Sequence, residues 1–245
     1  HGVSEFSQAK TRLVKFLHQR HGFDVVVFES GLFCCELAQR ATATATPLET
    51  MRSSIFAIWQ TREVLDLFAY LDASESSARP IALAGIDCQH SGHTATPLAD
   101  RVRIWRELIA AADSAYAREV ARLVADLAAR APRRDYTDLS VTDRRRFRAG
   151  FRRLVAFLES RQDALVAAHP DDALLPAIAL QAARNDHHAL GIFRAGEFNS
   201  AARDSVLADN LEYLLDVRFP GRRVVVWAHN AHVRRPGAVV PEAGY

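Results

Sequence analysis

The sequence lacks the features that would assign it at once to one of several large functional classes. It has no apolar run close to the ~20 residues that a membrane-spanning helix needs. It also has no G-x-S-x-G elbow, Walker loop, GxGxxG fingerprint or HExxH motif. These absences argue against classical serine hydrolases, P-loop NTPases, dinucleotide enzymes and zincins. Without an activated serine or cysteine, the natural hydrolytic scheme is a water molecule activated by a side-chain base.

An excess of charge of either sign is also missing. The chain has 31 Lys plus Arg against 29 Asp plus Glu, a formal net charge of +2. This balance gives no global electrostatic reason to expect a nucleic-acid or membrane partner, and we predict neither. Arginines do cluster at residues 144–148 and 152–153, where we interpret them as the solvated face of a helix.

Cysteine is scarce and has no metal-binding spacing. The three cysteines are Cys34, Cys35 and Cys88, with no CxxC pair among them. We expect all three to be reduced and partly buried, which is consistent with a cytoplasmic protein.

Three short apolar runs are predicted to be buried parallel strands, at residues 23–28, 80–86 and 223–228. Their hydrophobicity is continuous and does not alternate, as a strand covered on both faces requires. Each run is followed at once by a polar residue: Glu29, Asp87 or His229. Ligands of open α/β sheets bind outside the carboxyl ends of the strands, so these residues are the first indication of a site.

Helical periodicity fills the segments between the predicted strands. We predict helices at 4–21 (with Ser4 a possible N-cap), 55–71, 174–195 and 201–217, and several more between 97 and 169. The predicted fold class is α/β, with a mostly parallel central sheet flanked by helices. Residues 1–96 and 172–245 are predicted to form the α/β core. Residues 97–171 are predicted to be a helical insertion that forms one wall of a large active-site cleft.

The segment His229-Asn230-Ala231-His232 carries two histidines at positions i and i+3 directly after a predicted strand. Such a pair can share a metal, or divide into a proton-transfer base and an electrostatic partner. Four other histidines, His90, His93, His187 and His188, are interpreted as solvated.

Glu29 ends an apolar run, which makes its carboxylate a candidate acid or base, metal ligand or orienter of a histidine. Asp87 follows its own strand in the same way. His1 stands just before a predicted helix, whose N-terminal N–H groups favour negative charge nearby. A histidine there can face an oxyanion.

Taken together, these segments resemble the erythromycin esterase family. The resemblance rests on blocks in the family's order: His1–Phe6, Lys10, Val-Val-Phe-Glu-Ser around Glu29, Trp59 and Glu63 on one helix, Gly85–Gln89, Arg203-Asp204 with Asn210, and Val226–His232. The family pattern also has a strand and a Gly-Glu pair before the histidine numbered 1 here, and we expect a further strand upstream.

The resemblance implies a hydrolase of lactones or carboxylic esters, with a macrolide such as erythromycin as the leading candidate. Opening the macrolide ring abolishes antibiotic action. His1 matches the general base that activates water, and Glu29 an essential active-site carboxylate. His229 and His232 match two active-site histidines, and Arg203 an arginine that stabilises an oxyanion or a substrate carboxylate.

The predicted partner is therefore a small-molecule ester or lactone, and the predicted substrate-binding residues are Glu5, Lys10, Trp59, Asp87 and Asn230. No cofactor is predicted. Two alternatives stay open at this stage. One is a metal-dependent hydrolase that holds a divalent metal at His1, Glu29, His229 and His232. The other is a non-enzymatic module that binds heme or a metal in the same cleft.

Overall fold

A computed structural model of the protein describes residues 3–92, 96–131, 136–194 and 197–233. The strands are β1 (Phe23–Gly31), β2 (Ala82–Asp87), β3 (Phe193–Arg194), β4 (Glu197–Phe198) and β5 (Arg223–Trp227). The helices are α1 (Ser4–His21), α2 (Leu32–Ala41), α3 (Pro47–Ser54), α4 (Arg62–Ser74), α5 (Thr96–Ala110), α6 (Ser114–Arg130), α7 (Val141–Ser160), α8 (Gln162–Ala168), α9 (Leu175–Ile192), α10 (Ser200–Tyr213) and α11 (Asn230–Val233). Shorter helical turns lie at Ala57–Trp59, Pro170–Asp172 and Leu214–Arg218.

The central sheet has the strand order β2-β1-β5, and both pairings are parallel. Along β1, Val26 and Phe28 pack into a hydrophobic cluster with residues of α1, α3 and α4. Val25 and Val27 point the other way and pack against residues of α10 and the turn that follows it. The sheet is thus buried on both faces, as the unbroken apolar runs require. The predicted parallel sheet flanked by helices is confirmed.

Strand β1 is longer than the sequence predicts. Glu29 and Ser30 lie inside it, and the pairing with β2 becomes irregular between Phe28 and Gly31. Asp87 is likewise the last residue of β2, where we expected it to follow the strand. Glu29 and Asp87 are therefore fixed by the sheet itself and almost completely buried.

The single helix predicted over residues 55–71 is wrong, because the chain forms a 3-10 turn at Ala57–Trp59 and then a separate helix, α4. The Thr61 hydroxyl accepts a hydrogen bond from the Val64 N–H and starts α4 as a typical N-cap. Trp59 and Glu63 therefore do not share a helix. Ser4 is also not an N-cap: it lies inside α1, and its hydroxyl donates to Glu63.

Helices α5 to α9 enclose a hydrophobic cluster of their own, in which Trp105, Phe147 and Phe151 are fully buried. Phe33 of α2 and Cys88 after β2 also belong to this cluster and connect it to the sheet.

The sequence did not predict the β3–β4 hairpin. The domain boundaries stay a prediction. Within the described ranges, no helix has both the length and the apolarity to cross a bilayer.

Candidate active site

Arg203, in the first turn of α10, joins the carboxyl ends of β1 and β2. Its Nη2 donates to Glu29 Oε1 at 2.9 Å and also to Asp87 Oδ2. Its Nε donates to Asp87 Oδ2 at 3.1 Å. All three side chains are buried, with at most 7% of each residue exposed. Burial alone would lower the pKa of Arg203, but the hydrogen bonds and charges of Asp87 and Glu29 outweigh it and raise that pKa.

Glu29 also holds the segment that carries the two histidines. Its second oxygen, Oε2, accepts the backbone N–H of His229 at 2.8 Å. Both oxygens of this carboxylate therefore have donors. One carboxylate in the central strand thus positions the guanidinium and the chain that follows β5.

His232 lies between Arg203 and a carboxylate on the same helix as Arg203. Its Nδ1 is 2.6 Å from Asp204 Oδ1, so Nδ1 carries a proton and donates it. Its Nε2 is 3.1 Å from Arg203 Nη1 and 3.3 Å from Glu29 Oε1. A carboxylate on Nδ1 fixes the tautomer of an imidazole and directs Nε2 toward the reacting groups.

The neighbouring histidine has the opposite arrangement. The backbone N–H of Ala231 donates to His229 Nδ1 at 3.1 Å, so a neutral His229 carries its proton on Nε2. The two rings lie 6.3 Å apart, and His229 is exposed. The pair thus offers one imidazole with a protonated Nε2 and a second whose Nε2 can accept a proton.

A cation–aromatic cluster adjoins Glu29. The Trp59 indole Nε1–H donates to the backbone carbonyl of Glu29 at 3.3 Å. Lys10 Nζ lies 5.6 Å from the centre of the Trp59 ring and 5.2 Å from that of Trp227. This cation–π geometry gives Lys10 and Trp59 a packing role next to the site.

The other predicted site residues have fewer connections to this centre. Asn230 begins α11 with its side chain exposed, and Glu5 is exposed on α1. Among the described residues, no hydrogen bond joins Glu5 to Arg203 or its carboxylates. His1 lies outside the described residues. The substrate-binding role of Asp87 stays a prediction, but its burial and its pairing with Arg203 favour a positioning role.

Glu29 and His232, two of the four predicted metal ligands, already make polar contacts with other protein groups. Both Glu29 oxygens accept hydrogen bonds, and both His232 nitrogens have polar neighbours. The guanidinium of Arg203 repels a cation at this place. In the described ranges, no three His, Cys, Asp or Glu side chains are grouped so that they could hold a metal ion. The donor set therefore fits a guanidinium better than a divalent metal.

Two features were missed by reasoning from the sequence. Asp204 is the partner of His232, and the only available signal was its position beside Arg203. His90 was interpreted as solvated, and this is wrong: its Nε2 lies 2.7 Å from the buried Asp186, to which Tyr136 also donates. This contact fixes the loop after β2 to α9. His187 is partly buried, and His93 lies outside the described residues.

Comparison with solved structures gives the same fold. A Bacillus cereus protein of known structure has a TM-score of 0.69 at 19% identity and covers 91% of this chain. A mutant of the erythromycin esterase EreC in its open conformation has a TM-score of 0.66 at 19% identity and covers 94%. A succinoglycan biosynthesis protein has a TM-score of 0.67 at 17% identity and covers 90%.

Comparison of sequences agrees with the structural likeness. YbfO of Bacillus subtilis (strain 168), named as a candidate hydrolase, is 23% identical over 96% of this chain. The chain spans about half of these relatives: 54% of YbfO and 53%, 58% and 52% of the three solved proteins. The model of the erythromycin esterase family matches residues 18–242, and the chain belongs to that family.

Proposed function

We propose that the protein is a hydrolase that cleaves a carboxylic ester or lactone, with a macrolide such as erythromycin as the leading candidate. Membership of the erythromycin esterase family and the likeness to YbfO support the hydrolase class. The observation that carries the proposal is the buried network of Arg203, Glu29 and Asp87 with His232 beside it. It places a fixed positive charge next to an oriented imidazole at the carboxyl edge of the sheet.

The reaction begins when a water oxygen attacks the ester carbonyl carbon while a base takes a proton from the water. His1 is the general base that the resemblance implies, and this role stays a prediction. Negative charge then develops on the carbonyl oxygen. Arg203 and the His229 Nε2–H are the donors proposed to stabilise it, because preorganised donors lower the energy of such an oxyanion.

The tetrahedral intermediate collapses when the bond between carbon and the leaving oxygen breaks. The leaving oxygen is proposed to take up the proton that the base removed from the water, directly or through His232 Nε2, which gives an acid and an alcohol. Asp204 on Nδ1 holds the ring of His232 in place for this transfer, with Nε2 3.1 Å from Arg203 Nη1.

The test is mass spectrometry of erythromycin incubated with the protein. We expect the product to gain one water, and we expect Glu29→Gln and His232→Asn to lose this conversion. His188→Asn is the matched control, because His188 is an exposed histidine on α9. Conversion that persists in Glu29→Gln would refute the site.

Two further measurements test metal dependence and the choice of substrate separately from the position of the site. We expect activity to survive EDTA, because the proposed attack uses no metal; a loss that added metal restores would favour a metal-dependent hydrolase. If erythromycin is unchanged but other esters are hydrolysed in a way that needs Glu29, the site stands and the substrate is another ester. Failure with every ester would refute the proposed function.

A further inference from the structure

A cleft lies between α7 and α9 and shares no lining residue with the Arg203 network. It encloses about 290 Å³ and is lined by Arg145, Arg148, Ala149, Arg152 and His187. The lining therefore has four basic side chains and no acidic one. The arginines belong to the cluster that we interpreted from the sequence as a solvated helix face.

These three arginines share one face of α7 because they are three and four residues apart. Within the described ranges, no carboxylate lies at ion-pair distance from Arg145, Arg148 or Arg152. Other arginines of the same helix are paired: Arg146 with Asp126, and Arg153 with Glu119 at 3.0 Å. Like charges at this spacing repel one another, and an anion bound at this face would offset that repulsion.

Arg148 carries the strongest indication of a ligand. Its Nε is buried and has no hydrogen-bond partner, although buried polar groups are nearly always paired. Gly191 of α9 packs beside it, since a Cβ there would lie 3.5 Å from the Arg148 Cζ and Nη2. The guanidinium therefore lies against α9, with a buried Nε that no protein group satisfies.

His187 lies on the α9 wall of the cleft. Its Nδ1 donates to the backbone carbonyl of Arg148 at 3.2 Å, which ties α9 to α7 at this point. Burial lowers the pKa of His187, and the charges of Arg148 and Arg152 lower it further. No acidic group offsets these effects, so the electrostatic potential of the cleft is positive.

We propose that this cleft binds a small oxyanion, a phosphate or carboxylate group on a small molecule. The guanidinium fork of Arg148 matches two oxygens of such a group, and Arg145 and Arg152 supply charge at the rim. The size of the cleft suits a small anion, whereas a nucleic acid would need a longer basic track. The site is independent of the proposed esterase activity.

The experiment is isothermal titration of the protein with inorganic phosphate and, separately, with citrate, against chloride at equal ionic strength. We expect saturable binding of one anion, weakened about tenfold or more in Arg148→Gln, since a charged hydrogen bond contributes this much. Arg152→Gln is a second variant. The side chain of Arg152 is exposed, so we expect this replacement to leave the fold intact. It should weaken binding several-fold.

Arg153→Gln is the matched control, because Arg153 lies on the same helix and is paired with Glu119. It removes the same charge and should leave affinity unchanged within about twofold. Equal losses in Arg153→Gln and Arg148→Gln would mean only diffuse attraction and would overturn the site. Absence of saturable binding by both anions would also overturn it, as would binding of an oligonucleotide alone.

Discussion

His232 Nδ1 lies 2.6 Å from Asp204 Oδ1, and the two residues approach each other from α11 and α10. Asp204→Asn keeps the shape of the side chain but can present an N–H to the ring, which favours the wrong tautomer. We expect kcat to fall about 10²-fold. The loss should be smaller than the roughly 10⁴-fold loss known for a buried triad aspartate, because 45% of the Asp204 side chain is exposed.

The measurement is a pH–rate profile of ester hydrolysis for wild type and Asp204→Asn. Asp209→Asn provides the control, since Asp209 is an exposed carboxylate further along the same helix. A change in KM alone, with kcat and the profile unaltered, would contradict an orienting role for Asp204.

Replacing Arg203 with Met should destabilise the fold as well as remove activity. The change leaves Glu29 and Asp87 buried side by side without their cation, and breaking such a buried network costs about 3–5 kcal/mol. Urea unfolding followed by circular dichroism measures the loss. Arg153→Gln, which opens an exposed pair with Glu119, should cost less than about 1 kcal/mol. A stable Arg203→Met protein would show that the network is not structural.

Lys10→Met separates two roles for this lysine. If Lys10 acts through its contacts with Trp59 and Trp227, stability falls by about 0.5–2 kcal/mol while KM stays the same. If Lys10 binds substrate, KM rises and stability changes little. The half-buried position of Lys10 beside two indoles leads us to expect the first result. Thermal unfolding together with steady-state kinetics on the same sample decides between them.

Gly85 and Gly150 form a matched pair for testing close packing. A Cβ on Gly85 would meet the Gly31 carbonyl and Cys35 Sγ, each at 2.8 Å, beside the strand end that holds Glu29. Gly85→Ala should therefore cost about 1–3 kcal/mol or more and lower kcat. A Cβ on Gly150 meets only the flexible side chain of Leu123, and helix propensity offsets the cost there. Equal losses in the two variants would refute this reasoning.

The sheet and its strand-end residues were predictable because β1, β2 and β5 are unbroken apolar runs. Continuous hydrophobicity indicates burial on both faces, and parallel strands bring their carboxyl ends to one edge. Glu29, Asp87 and His229 could therefore be placed at that edge without a structure. The pairing of Glu29 and Asp87 with Arg203 could not be predicted, because the position of α10 depends on tertiary packing.

The wrong and missed predictions have two causes: local capping chemistry and contacts between residues that are distant in the sequence. Apolar spacing continues through residues 55–71, so periodicity alone missed the stop at Trp59 and the new start that Thr61 makes. No local pattern connects His90 with its carboxylate partner, because Asp186 is 96 residues away. Asp204 was missed for the same kind of reason, since the histidine it orients follows 28 residues later on another element.

The bond from His229 N to Glu29 Oε2 joins residues that are 200 positions apart. Its formation requires β5 to pair with β1, which are far apart in the sequence. Closing such a long loop costs conformational entropy before the contacts that offset this cost have formed. The helices, in contrast, form from local contacts. During refolding, the helical circular dichroism signal should therefore return before the site is assembled. The return of ester hydrolysis would then mark the pairing of β5 with β1.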